Sequence, residues 1–162
     1  MKFSAQEEYG LRCLIQIAKA GRPLTIPEIS DLEGISSTHA AKTLMILRKE
    51  GFVVASRGQS GGYSLARNAA EIAVGDVLSA IGGKLYDAEF CRKHSGALDI
   101  CTHAVDCSVR SLWQIIQGAV DNVLDKVTLQ DMVATEAKSN VTLHMDGRPT
   151  VMSRPPAESV EV

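Results

Sequence analysis

The sequence predicts a mainly α-helical chain carrying one small β-hairpin, and three observations predict it. Apolar residues recur at helical spacing in three consecutive stretches within residues 4–50. Two short β-prone runs, 52–56 (FVVAS) and 63–66 (YSLA), then flank a glycine-rich segment, 57–62 (RGQSGG). A long apolar stripe begins at Ser108, after a region with no sustained period.

Each element can be justified in chain order. Ser4 and Glu7 are spaced as a capping box, in which a serine oxygen and a glutamate satisfy free amides at a helix start. Leu11, Leu14, Ile15 and Ala18 continue at helical spacing, so the first helix should span residues 4–20, with Gly21-Arg22-Pro23 ending it. Thr25 should cap a short second helix with Pro27 in its first turn, stopped at Gly34. Ser36 or Ser37 should cap a third, whose Ala40, Ala41, Leu44, Met45 and Leu47 form an apolar stripe before Gly51. The strand-like runs follow, and glycines at three of the six intervening positions suit the positive φ angles of a tight hairpin. Residues 69–81 read as a connector entering a short helix that ends at Gly82-Gly83, and residues 84–107 read as a loop. In residues 108–127, Val109, Trp113, Ile116, Val120, Val123 and Val127 alternate spacings of four and three, and Leu112, Ile115, Ala119 and Leu124 widen the stripe until it needs more than one packing partner. A last short helix should begin near residue 128, and the prolines and polar residues beyond Ala137 predict a disordered tail. The expected organisation is therefore residues 1–83, 84–107, 108–136 and 137–162.

At 162 residues, 45% of them hydrophobic, the chain suits one compact domain with an appended element. No apolar run approaches the roughly 18–20 residues of a membrane span, and residues 1–8 (MKFSAQEE) turn polar at once, so a cytoplasmic chain is expected. The net charge of −2 does not resemble that of a nucleic-acid binder, but residues 42–67 carry a local +4 from Lys42, Arg48, Lys49, Arg57 and Arg67 against Glu50.

Two short helices joined by Glu33-Gly34-Ile35-Ser36 have the form of a helix-turn-helix, and the basic hairpin after them has the form of a wing. A recognition helix needs short polar side chains and cations in its first turns, and Ser37, Thr38, His39, Lys42 and Thr43 occupy those places. Read in isolation, such a cluster more often serves as a helix cap. At the hairpin tip Arg57, Gln59, Ser60 and Gly61 can grip a phosphate or enter a minor groove. A nucleotide-binding loop is excluded, because neither Lys-Ser nor Lys-Thr follows the glycines. No serine-histidine-acid arrangement or dinucleotide fingerprint points to an enzyme.

Three of the four cysteines crowd the predicted loop at Cys91, Cys101 and Cys107. Thiolates on one loop can wrap an iron-sulfur cluster, with a fourth ligand from elsewhere. A zinc site would more often show cysteines two to four residues apart. Zinc, a regulatory thiol pair, and an iron-sulfur electron carrier without DNA binding stand as alternatives. Cys13, among apolar residues of the first helix, reads as core. His94 and Asp106 read as solvated loop residues.

Residues 34–37 (GISS), 47–53 (LRKEGFV) and 57–67 (RGQSGGYSLAR), together with the cysteine segment and Trp113, resemble the IscR/NsrR-type family of iron-sulfur winged-helix transcription regulators over about residues 1–134. The resemblance implies a winged helix-turn-helix with a long dimerisation helix, a homodimer on palindromic double-stranded operator DNA, no catalysis, and a cluster, 2Fe-2S placed slightly ahead of 4Fe-4S. It also implies that Glu8 of the partner subunit completes the ligand set, with neighbouring Glu7 its rival and His103 the local alternative. The intervals between the cysteines, nine residues and then five, depart from the shorter first spacer of familiar members.

Overall fold

The computed structural model describes residues 4–58, 60–87, 89–95, 107–137, 141–143 and 149–151. Gln59, Cys101 and His103 lie outside the described residues.

Helix α1 (Ala5–Ala20) begins at the expected capping box: Ser4 Oγ accepts the Glu7 amide and the Glu7 carboxylate accepts the Ser4 amide at 2.7 Å. Helix α2 (Ile26–Glu33) repeats the device with Thr25 and Glu28, and Gly34 closes it in the left-handed region. The amide of Thr25, the Arg22 guanidinium and the Thr25 hydroxyl together lower the Glu28 carboxyl to about 2. Helix α3 (Ser37–Lys49) is capped by Ser36, whose oxygen accepts the His39 amide at 3.2 Å.

Strands β1 (Val53–Ser56) and β2 (Gly62–Leu65) pair antiparallel, Val53 opposite Leu65. Leu24 joins as a third rung, exchanging bonds of 2.9 and 2.7 Å with Tyr63, so the hairpin is welded to the segment between α1 and α2. Gly62 makes this possible: a Cβ there would lie 2.6 Å from the Leu24 carbonyl oxygen. A 3-10 turn (Ala69–Glu71) leads into α4 (Val74–Gly82), which crosses α1 where Gly10 leaves room for Ile81.

The core gathers Cys13, Leu14 and Ile17 of α1, Ile29 of α2, Leu44 and Leu47 of α3, and Leu24, Phe52, Val53, Ile72 and Val77. Burial pushes the Cys13 thiol up to about 12, which agrees with its reading as a packing residue. Arg12 binds the end of α2, its Nε donating to the buried Glu33 carboxylate at 2.5 Å and its Nη2 to the Glu33 carbonyl at 2.7 Å.

The second half differs from expectation in four places. The loop contains one helical turn, α5 (Phe90–Lys93), too short to leave a periodic pattern. The long helix α6 (Ser108–Leu124) stops before Val127, because the Val127 carbonyl accepts the Val74 amide at 2.9 Å and Ala73 bridges Thr128 in extended form. Helix α7 (Leu129–Ala137) returns to α1 and buries Leu129 in the first-half core, so it packs with the first half of the chain. Within residues 137–162, read as a tail without structure, β3 (Val141–Leu143) and β4 (Pro149–Val151) form a short antiparallel hairpin. Among the described residues, no helix is long and apolar enough to cross a membrane.

Helix α6 leaves most of its apolar stripe uncovered. Only Gln117 is buried on it, while Val109, Leu112, Trp113, Ile115 and Val123 are exposed, Ile115 by 69%.

Candidate functional site

The outer face of α3 is built by its cap and its phase. With Ser36 fixing the start and Ala40, Leu44 and Leu47 turned inward, Ser37, Thr38, His39 and Lys42 are exposed together. The His39 ring is held by Ser36 Oγ at 3.1 Å and faces the Tyr9 ring at 6.0 Å. Ser37 donates to Ser30 Oγ at 3.2 Å, linking the two helices of the motif.

Thr43 is a correction. It is 1% exposed and its hydroxyl accepts a 2.7 Å bond from Gln6 Nε2, because its position shares the inner face with Ala40, Leu44 and Leu47. It cannot meet a base edge. Met45, read from sequence as core, is 58% exposed one turn beyond Lys42. The spacing 39, 42, 45 is the signal that places it on the exposed face with His39 and Lys42.

At the hairpin Arg57 and Ser60 are exposed. Gly58 has φ 111°, and Gly61, whose amide donates to the Gly58 carbonyl at 2.9 Å, has the Ser56 oxygen only 2.5 Å from where a Cβ would be. The tip is a bare, tightly turned backbone with a cation at its entry. Arg67 lies over the Phe52 ring at 5.3 Å and adds fixed positive charge at its base.

The second site forms where α5 meets the start of α6. Cys91 and Cys107 are unbonded to other cysteines and half-buried. Cys107 is the cap residue of α6, its Sγ accepting the Arg110 amide at 3.3 Å. The Arg110 side chain is hydrogen-bonded to Cys91, a contact that raises the guanidinium above its ordinary value. Tyr86 Oη lies 3.7 Å from Cys91 Sγ, and that contact, with burial, raises the phenol. One arginine thus reaches both sulfurs. Sequence reasoning did not single out Arg110 or Tyr86, and only their nearness to cysteines marked them.

This corner is pinned to α6. The Tyr86 amide donates to Gln117 Oε1 at 2.9 Å, Gln117 donates to Asp121 at 2.7 Å, and Lys84 pairs with Asp121 at 3.2 Å. The Phe90 ring stacks on His94 at 4.2 Å and tilts against Trp113 at 6.1 Å. Asp106 lies outside the described residues. Among the described residues, no three His, Cys, Asp or Glu side chains converge to hold a metal.

Glu7 and Glu8 separate clearly. The Glu7 carboxylate is committed to the Ser4 cap, whereas Glu8 is exposed. Both rim a groove of about 300 Å³ lined by Leu11, Leu78, Val123 and Met132.

Residues 3–135 of this chain match a known family, Rrf2, described as an iron-dependent transcriptional regulator. The chain belongs to the Rrf2 family. It is 30% identical over 148 residues to the HTH-type transcriptional regulator IscR of Pectobacterium atrosepticum, covering 90% of this chain and 87% of that one. Among solved structures it is similar to IscR of T. potens (TM-score 0.66, 30% identity, covering 86% of this chain and 93% of that one). It is also similar to CymR, the global cysteine regulator of B. subtilis (TM-score 0.67, 28% identity, covering 83% and 97%). As an Rrf2 protein the chain is a transcription regulator, and α2, α3 and the β1–β2 hairpin are its DNA-binding winged helix.

Proposed function

We propose that this Rrf2 protein is a cytoplasmic homodimer whose affinity for a palindromic double-stranded operator is set by an iron-sulfur cluster. Cys91, Cys101 and Cys107 hold the cluster, and Glu8 of the partner subunit is the fourth ligand, with His103 the alternative. The 2Fe-2S form is preferred to 4Fe-4S. The reading is carried by one observation: Arg110 touches both Cys91 and Cys107, so two distant thiols share one corner at the root of α6.

The residues fit such a group. Both thiols are reduced, and hydrogen-bond donors point at their sulfurs, the environment in which thiolates ligate iron. When bound, an iron-sulfur cluster supplies a centre whose charge and ligand number respond to redox state. The chain's own residues convert that into geometry. Cys107 caps α6, and Gln117 and Trp113 tie the cysteine corner along the same helix. The exposed apolar face of α6 pairs with its twin, setting two α3 helices about 34 Å apart, one turn of DNA. Ser37, Thr38, His39 and Lys42 then face base edges and phosphates, and Arg57, Gln59, Ser60 and Gly61 face the flanking groove. A change in how Cys91 and Cys107 are held shifts the population of the DNA-competent dimer.

The test is anaerobic purification with iron and sulfide counted per chain, followed by operator binding in oxidised, reduced and cluster-free forms. Stoichiometric iron and sulfide with form-dependent affinity is expected. Cys91→Ala protein that retained both the visible absorption and the regulated affinity would overturn the reading. A thiol-redox regulator is the second reading, favoured by the free Cys91 and Cys107 lying at one arginine; colourless, iron-free protein whose affinity follows thiol oxidation establishes it instead. Colourless protein with bound zinc points to the zinc-stabilised form.

A further inference from the structure

Arg110 and Tyr86 belong to no part of the DNA interface, yet both direct their polar atoms at sulfur. The Arg110 side chain is bonded to Cys91 while its amide is bonded to Cys107 at 3.3 Å, and the Tyr86 hydroxyl stands 3.7 Å from Cys91. Both residues are held by further contacts. The Tyr86 backbone is anchored on Gln117, its ring packs on Phe90 at 5.4 Å, and Arg110 is in the first turn of a 17-residue helix. Donors held so rigidly to a ligating sulfur fix its direction and withdraw electron density from it, which orients first ligands and tunes the centre they bind.

We propose that Arg110 and Tyr86 are positioning residues of the cysteine centre, donating to Cys91 so that its sulfur is aimed and electronically damped for iron ligation. The proposal rests on the cluster reading for its metal but on the sulfur contacts for its geometry. Both residues act through Cys91, and the Cys107 contact survives side-chain replacement because it uses a backbone amide.

The test compares full-length wild type with Arg110→Gln, Arg110→Lys and Tyr86→Phe. Two readouts are taken: the reduction potential of anaerobically reconstituted protein, and the affinity of metal-free protein for Co(II), followed by its thiolate charge-transfer absorption. Arg110→Gln and Tyr86→Phe are expected each to weaken Co(II) binding about tenfold. Each is also expected to lower the potential by up to about 59 mV, a tenfold change for a one-electron couple. Arg110→Lys should recover part of both losses. Tyr86→Phe keeps the ring packing and decides the matter should Arg110→Gln fail to fold. Wild-type values of both readouts in folded Arg110→Gln and Tyr86→Phe overturn the proposal. Wild type that takes up no iron or sulfide overturns the cluster reading instead, and the Co(II) comparison then decides the positioning roles alone.

Discussion

Thr43 and Lys42 are neighbours in sequence and opposites in space. Both read as recognition-helix residues, since a sequence shows polarity before it shows helical phase, and only the burial of Thr43 against Gln6 separates them. Thr43→Val should therefore cost about 1 kcal/mol of stability through the lost hydrogen bond and leave the operator affinity of the folded protein unchanged, as thermal melts and fluorescence anisotropy will show. Arg57→Ala should do the reverse: no change in melting temperature, weaker operator binding, and a salt dependence shallower by about one unit of slope. Unchanged affinity would remove Arg57 from the interface. Cys13 was legible because an apolar neighbourhood and a helical position are both sequence properties. With its thiol raised to about 12, it should stay unlabelled by maleimide at neutral pH in folded, metal-free protein, while Cys91 and Cys107 react, a difference that peptide mapping resolves.

The helix starts were the most legible elements, because a capping box needs only two residues three apart. Thr25→Ala should lower stability by about 1 kcal/mol in denaturant melts. The partner residue adds a pH signature. The Glu28 carboxyl titrates in the fold at about 2 rather than its ordinary 4.5, so its ionised form favours the folded state. That contribution is complete above pH 4.5 and is lost as pH falls from 4.5 towards 2. The stability gap between wild type and Glu28→Gln should close over that window, and a constant gap would show that the cap contacts are not formed. Less legible were α5, four residues with no room for a period, and the end of α6, where apolar Val127 continued the stripe although its carbonyl serves the bridge to Val74.

Across the molecule, the sequence carried the winged half nearly intact, because its core closes within one chain. At the cysteine corner Cys91 and Cys107 were legible and their neighbours were not: Arg110 and Tyr86 have meaning only once α5 is folded against α6. The apolar stripe of α6 was visible from spacing, and the structure leaves Ile115 69% exposed on it. If α6 forms the proposed dimer contact, Ile115→Glu should leave circular dichroism unchanged, shift the sedimenting species from dimer to monomer, and sharply weaken binding to a two-half-site operator. A dimer that persists would place the subunit contact elsewhere.

The Arg12–Glu33 pair occupies the place where a hinge would have to be. By clasping both the side chain and the carbonyl at the end of α2, Arg12 ties α1 to the helix-turn-helix at that point. The pair opposes rotation of α2 away from α1. In the proposed dimer, tolerance for operators whose half-sites are set slightly too near or too far would then have to arise away from this junction, and a more cohesive subunit contact would make the protein a stricter judge of spacing.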